Sequence, residues 1–125
     1  MPQWNYTDKV MDYFLHPRHV GAIDNPSGFG EVGSLACGDV MQLTIEVKGG
    51  TITDARFKTF GCASAIASAS ALCELIIGKT IEQARRLSNK HIVDFLGGLP
   101  DKKIHCSVLG KQALDEAIKN YESKR

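Results

Sequence analysis

Three of the four cysteines lie where a predicted loop meets a strand or a helix. Cys37 precedes the first long strand, Cys62 precedes an alanine-rich helix, and Cys106 lies near the start of the last helix. Asp39 follows Cys37 by two positions, and His105 directly precedes Cys106. Three thiols with an imidazole and a carboxylate form a donor set suited to metal binding, and a thiolate is also a nucleophile.

The predicted positions of Cys62 and Cys106 favour the thiolate form. A helix N-terminus offers unpaired N–H groups and a partial positive charge, and both stabilise a nearby thiolate. Lys103 and His105 add positive charge or a proton acceptor beside Cys106. Cys73 differs because it falls inside the alanine-rich helix among apolar residues, which predicts a packing role. Three histidines without a cysteine neighbour are interpreted as structural: His16, His19 and His91.

Composition limits the classes of protein to consider. The 125 residues, 43% of them hydrophobic, suffice for a single globular domain over 1–125 with its own core. Lys and Arg number 15 against 14 Asp and Glu, so the net charge of +1 argues against an electrostatic grip on nucleic acid. The first residues lack the basic and apolar regions of a signal peptide, and no apolar run is long enough to span a membrane. We therefore predict a cytoplasmic protein, although an even number of cysteines would allow two disulfides in a secreted one.

The first third of the sequence predicts a helix and then a long loop. Apolar residues recur every four positions after Asn5, a candidate N-cap, and the helix must stop near Pro17. The stretch 21–38 is rich in Gly, Pro, Asn and Ser and is typical of irregular structure. Within it, only Glu31–Val32 suggests a short strand.

The remaining elements predict an α+β fold. Period-two alternation indicates strands over Met41–Val47 and Thr51–Phe60, joined by a turn at Lys48–Gly50. The exposed hairpin then needs helices to cover its apolar face. Helical patterns follow over Ala63–Ile77, after a capping box at Thr80–Gln83, after Ser88, and over Ser107–Tyr121.

Three functions remain open from these residues. The first is a metal or cluster site built from the thiols and their neighbours. The second is a cysteine- or zinc-dependent hydrolase with Cys106 as nucleophile, His105 as base and Asp39 as orienting group. Adjacent residues in a helical turn point apart and no oxyanion-hole motif is evident, which argues against the hydrolase. The third is a thiol–disulfide redox protein, which the missing Cys-x-x-Cys motif disfavours.

At these residues the chain resembles iron–sulfur cluster assembly scaffolds of the IscU type, a family that includes the N-terminal domain of NifU. Together the matching stretches run through nearly the whole chain. The order of its Cys-Gly-Asp, Gly-Cys and His-Cys-Ser elements is highly specific. The matching stretches are Tyr6–Val10 with Pro17–Gly21, Ala36–Met41, Phe57–Ser68, and Lys103–Ser107.

The resemblance implies a fold and a role for each residue. The family fold is a small three-stranded antiparallel sheet with helices packed on it and the site at one end. Cys37, Cys62 and Cys106 would hold a transient [2Fe-2S] cluster, with Asp39 and His105 as accessory ligands. Cys106 would also accept persulfide sulfur, and the basic residue Lys103 would tune the site. Fe²⁺ is the implied metal, and Zn²⁺ would bind the same five residues.

The resemblance also implies partners rather than a catalysed reaction. A cysteine desulfurase would deliver sulfur, apo iron–sulfur proteins would accept the cluster, and a homo-oligomer is a further expectation. Neither nucleic acid nor a membrane is an expected partner. Many relatives carry Leu-Pro-Pro-Val-Lys for an Hsp70-type chaperone, whereas this chain has Leu-Pro-Asp-Lys-Lys at Leu99–Lys103. That change weakens the expectation of chaperone-assisted release.

Overall fold

The order of helices and strands is that of an α+β fold. The computed structural model describes residues 8–34, 39–60, 63–97 and 104–123, and at Ser34, Asp39, Ala63, Ser64, Asn89 and 104–109 it describes the backbone only. The elements are α1 (Asp8–Leu15), β1 (Gly28–Ser34), β2 (Asp39–Lys48), β3 (Thr51–Phe60), α2 (Ala63–Ile76), α3 (Ile81–Arg85), α4 (Asn89–Phe95) and α5 (Ile104–Ser123). The strands form one antiparallel sheet in the order β1-β2-β3. The predicted fold class is confirmed.

The β2–β3 hairpin matches the prediction from period-two alternation. Its turn contains Gly49 and Gly50, whose φ angles of 60° and 79° favour glycine. One face of the hairpin is buried and includes Leu43, Ile45 and Phe57. Helices α2 and α5 pack on that face, so the core lies between the sheet and the helices.

Strand β1 corrects the prediction for the glycine-rich stretch 21–38. The structure has a strand of seven residues, Gly28–Ser34, where only Glu31–Val32 was expected to be extended. The physical reason is the close approach of α5, because a Cβ added at Gly30 would overlap the carbonyl oxygen of Ala113. Glycine is unfavourable in most strands, but it is required where another backbone lies this close.

The helices begin and end near their predicted positions. Helix α2 ends before Gly78, whose φ of 92° suits a C-terminal glycine. The predicted capping box of α3 is confirmed by reciprocal hydrogen bonds between Thr80 and Gln83. Helix α5 starts at Ile104, three residues before the predicted Ser107. The proposed cap at Asn5 lies outside the described residues.

No helix among the described residues combines the length and apolar character needed to cross a bilayer.

Candidate functional site

One end of the sheet collects the elements that flank the predicted ligands. Ser34 at the end of β1 pairs with Asp39 at the start of β2, and Val40 pairs with Phe60 at the end of β3. Cys37 belongs to the connection between Ser34 and Asp39, and Cys62 to the two-residue connection from Phe60 to α2. Both connections therefore start and finish at this end of the sheet, which we call the site end.

Helix α5 runs antiparallel to β1 and begins at the site end. Gly28 of β1 lies against Ala117, whereas Gly30 lies against Ala113. Two strand residues advance roughly 6.6 Å and four helical residues roughly 6 Å. Each further pair of residues along β1 therefore lies beside the preceding four residues of α5. Continuing to Ser34 reaches the first turn of α5, which contains His105 and Cys106.

The structure thus brings together the backbones of three of the predicted ligands. The backbones of Asp39, His105 and Cys106 lie at the site end. Cys37, Cys62 and Lys103 lie outside the described residues, but Ser34, Asp39 and Phe60, which flank the connections that carry the two cysteines, belong to the site end. Among the residues that the structure describes, no group of three or more His, Cys, Asp or Glu could hold a metal ion. The ligand set itself stays a prediction.

Hydrogen bonds fix the sheet next to the site end. The hydroxyl of Thr59 donates to the carbonyl of Val40 across the β2–β3 pair at 2.6 Å. The outer edge of β3 is covered because Phe57 N–H donates to His19 O and Gly21 N–H donates to Phe57 O. The segment from His19 to Gly21 therefore acts as a short parallel extension of the sheet.

Helix α2 holds this segment in place. Arg18 N–H donates to the hydroxyl of the buried Ser70, which donates in turn to Arg18 O. His19 adopts a φ of 66°, a left-handed conformation that non-glycine residues rarely take, and its ring lies 3.3 Å from a carboxylate oxygen of Glu74. This conformation presents the next residue, Val20, beside β3; the interpretation of His19 as structural stays a prediction.

An exposed apolar patch, formed by Val20, Val40 and Phe60, lies on the sheet face opposite the helices. Phe60 is 80% exposed, and the three side chains help to line a cavity of about 290 Å³ together with Lys58. Sequence reasoning missed this apolar patch. The available signal was the alternation in β3, which puts Phe60 on the face opposite Phe57. An exposed apolar cluster of this kind is typical of a surface that binds another protein.

Cys73 is separated from the site as predicted. Its side chain is fully buried in the core, and burial raises the pKa of the Cys73 thiol, with the negative charges of Asp54 and Glu74 raising it further. A neutral, inaccessible thiol is neither a ligand nor a nucleophile. The packing role predicted for Cys73 is confirmed.

Comparison with known sequences is consistent with this geometry. Residues 5–125 match the model of the NifU-like N-terminal domain. The chain is 52% identical over 126 residues to the nitrogen fixation protein NifU of Trichormus azollae, covering 94% of this chain and 42% of that protein. It is 49% identical over 124 residues to the iron–sulfur cluster assembly scaffold protein IscU of Aquifex aeolicus, covering 98% and 79%. The chain therefore spans about two-fifths of the NifU relative and most of the IscU relative.

A solved structure supports the same fold. A protein from Fervidobacterium islandicum AW-1, provisionally described as a scaffold of the SUF cluster assembly system, superposes with a TM-score of 0.75. The two chains are 28% identical, and the match covers 90% of this chain and 96% of the other. The similarity thus extends over nearly the whole of both chains.

Proposed function

Because this chain belongs to the NifU-like N-terminal domain family, we propose that it is a scaffold on which an iron–sulfur cluster is assembled and from which it is passed on. The observation that carries the proposal is the site end, where the backbones of Asp39, His105 and Cys106 lie near the described residues that flank the connections carrying Cys37 and Cys62. The relative named IscU, 49% identical, supports it. The relatives give no support to the hydrolase alternative.

The donor set suits a cluster that is held for a limited time. Stable [2Fe-2S] sites usually have four thiolates, whereas this chain offers three, Cys37, Cys62 and Cys106. Asp39 or His105 completes the coordination, and a carboxylate is a harder ligand that suits iron sulfide less well than thiolate. One edge of the cluster is therefore easier to open. Fe²⁺ enters as the substrate of assembly, and Zn²⁺ competes for the same ligands.

Sulfur delivery in this proposal uses Cys106. Its thiolate attacks the outer sulfur of a desulfurase persulfide, so that an S–S bond forms on Cys106 and the desulfurase thiolate leaves. Conversion of that sulfur to sulfide takes two electrons, which a thiol or a ferredoxin-class reductant supplies. Lys103 adds positive charge near the attacking thiolate. The chain itself catalyses no turnover of a diffusible substrate, and the cluster is its cargo.

The apolar patch supplies a docking surface for these exchanges. Val40 and Phe60 lie at the paired ends of β2 and β3. Phe60 directly precedes the connection that carries Cys62, and Val40 follows the connection that carries Cys37, separated from it by Asp39. A sulfur donor or a cluster acceptor bound there would reach the site end directly. Both partners use one surface in this proposal, so they bind in turn. Chaperone-assisted release is less favoured because of the altered Leu99–Lys103 segment, and a cytoplasmic location is part of the same proposal.

Anaerobic reconstitution tests the proposed function. The protein is mixed with ferrous iron, L-cysteine and a cysteine desulfurase, and visible absorption and Mössbauer spectra are recorded. We expect the charge-transfer bands of a [2Fe-2S] cluster, which then move to an apo-ferredoxin on mixing. A colourless protein after this treatment would overturn the proposal.

Replacing Asp39 with alanine is expected to make the cluster longer-lived. The reason is that the carboxylate provides the weak edge from which the cluster leaves. The half-life of the reconstituted cluster, followed by visible absorption, should increase several-fold, and transfer to apo-ferredoxin should slow by a similar factor. A shorter lifetime in Asp39→Ala would contradict this explanation, and Asp24→Ala, an exposed carboxylate on a loop, serves as the control.

Replacing Phe60 with alanine is expected to slow desulfurase-dependent assembly by about tenfold or more, as for a central aromatic residue of an interface. Reconstitution with inorganic sulfide should be unaffected because Phe60 is not a ligand. Phe29→Ala is the matched control, since Phe29 is 39% exposed on the same sheet face and pairs with Thr44 rather than Val40. Equal rates for the two variants would show that the apolar patch does not bind the desulfurase.

A further inference from the structure

A second groove lies at the end of the molecule opposite the site end. It has a volume of about 380 Å³ and is lined by Lys79, Gln83, Arg86, Leu87 and His91; we call it the distal groove. Thr80 forms a β-bridge with Thr51 next to the β2–β3 turn, which fixes the distal groove at the far end of the hairpin. Strand β3 has ten residues, so roughly 30 Å separate this end from the site end.

Helix capping occupies a side-chain acceptor on two of the residues that line the distal groove. The side-chain oxygen of Gln83 accepts a hydrogen bond from Thr80 N–H at 3.1 Å, so its amide NH₂ group is left to donate. Nδ1 of His91 accepts from Ser88 N–H at 2.9 Å, so the neutral ring carries its proton on Nε2. In both residues the capping hydrogen bond occupies the side-chain acceptor, and the side-chain N–H donor has no part in the cap.

The two cations of the distal groove have no carboxylate partner in the described part of the chain. Neither Lys79 nor Arg86 lies within 4.0 Å of an acidic oxygen there, whereas the adjacent Arg85 pairs with Glu82 and Glu122. No acidic side chain lines the distal groove. It thus offers two cations and two neutral donors, a charge pattern complementary to carboxylates.

We propose that the distal groove binds an acidic segment of a protein partner, with two or more carboxylates facing Lys79 and Arg86. Each of these ion pairs would be exposed and individually weak, so useful affinity needs several carboxylates on one chain rather than a single small anion. The net charge of +1 argues against nucleic acid as the partner, because its affinity depends on an excess of basic residues that neutralise phosphates. A partner held here leaves the site end and the apolar patch free for exchange of the cluster.

Titration of the ¹⁵N-labelled protein with the peptide acetyl-EELEELE-amide tests this proposal. At near-physiological ionic strength we expect saturable shifts of the backbone amides of Lys79, Gln83, Arg86 and His91. The double variant Lys79→Gln/Arg86→Gln should weaken binding about tenfold, as expected for the loss of two exposed ion pairs. Both side chains are outside the core, and an unchanged spectrum elsewhere confirms that the variant folds.

Matched controls decide between this proposal and its competitors. The double variant Lys90→Gln/Lys119→Gln removes the same charge from exposed positions outside the distal groove and should leave peptide affinity unchanged. The proposal is overturned if both double variants weaken binding equally, or if no saturable shift occurs. It is also overturned if inorganic phosphate or a DNA duplex, at matched ionic strength, binds these residues as tightly as the peptide.

Discussion

Serine substitution of Cys37, Cys62 or Cys106 is expected to abolish stable cluster binding, whereas alanine substitution of Cys73 is expected to leave it intact. Each of the first three removes one of three thiolates from a set that is already incomplete. Loss of a supporting residue around a metal costs about 10- to 100-fold in affinity, and loss of a thiolate ligand should cost at least as much. Bound iron and acid-labile sulfide per chain, measured after anaerobic reconstitution and desalting, provide the test.

Cys73 is a suitable control for these three variants because it is the same residue type in the same fold. It is fully buried and its thiol is held neutral, so Cys73→Ala should cost only about 1 kcal/mol of stability through a small cavity. Thermal unfolding separates that effect from cluster loss. Retention of a full cluster in any of the three serine variants would remove that cysteine from the site, and loss of the cluster in a folded Cys73→Ala variant would contradict the assignment of Cys73 to the core.

Sulfur chemistry adds a distinction among the three ligands. With the desulfurase and L-cysteine but without iron, mass spectrometry should find a persulfide on Cys106 in the Cys37→Ser and Cys62→Ser variants. The Cys106→Ser variant should carry none. A persulfide found only on another cysteine would show that this cysteine, and not Cys106, accepts the sulfur. The prediction of the cluster ligands would not be affected.

The hairpin could be predicted because its cause is local. Alternating residues in β2 and β3, with two glycines between them, specify both the strands and the buried face. The same alternation places Phe60 on the outer face of the sheet. The position of this member of the apolar patch could therefore have been predicted from the sequence. Val20 was not, because its position depends on backbone hydrogen bonds to Phe57 and on Ser70, which is distant in sequence.

Strand β1 could not be predicted because its cause is remote. Its glycines fit a loop by composition, and only the presence of α5, about 85 residues later, explains why glycine is needed there. The site shares this property. The types of its residues were evident in the sequence, but their grouping requires the direction of α5 relative to β1, which follows from the contacts of Gly28 and Gly30.

The contact between β1 and α5 therefore supports both the fold and the site. At Gly30 a Cβ would overlap the carbonyl oxygen of Ala113 and approach the backbone nitrogen of Ala117 to 2.6 Å. Both atoms belong to the helix backbone, so a change of side-chain rotamer cannot relieve the overlap. The helix must move away from the strand, and the first turn of α5, with His105 and Cys106, must move with it.

Gly30→Ala is accordingly expected to destabilise the protein by about 3 kcal/mol, at the upper end of the usual cost of overpacking. For a chain of this length that corresponds to a fall in Tm of roughly 10 °C. Cluster binding should weaken even below the Tm, because the ligands on α5 shift relative to Asp39. Calorimetry and reconstitution of the same sample measure the two effects.

Gly110→Ala is the matched control, with the opposite sign expected. Gly110 is also buried in α5, but a Cβ there would lie 3.5 Å from Leu72 Cδ2 and 3.7 Å from Ile92 Cδ1, which are ordinary contacts. Alanine in place of glycine within a helix should then stabilise the protein by about 0.5 to 1 kcal/mol. If the two substitutions changed Tm in the same direction, the close approach of α5 to β1 would not be the reason for glycine at position 30, and the inferred position of the first turn of α5 would lose its basis.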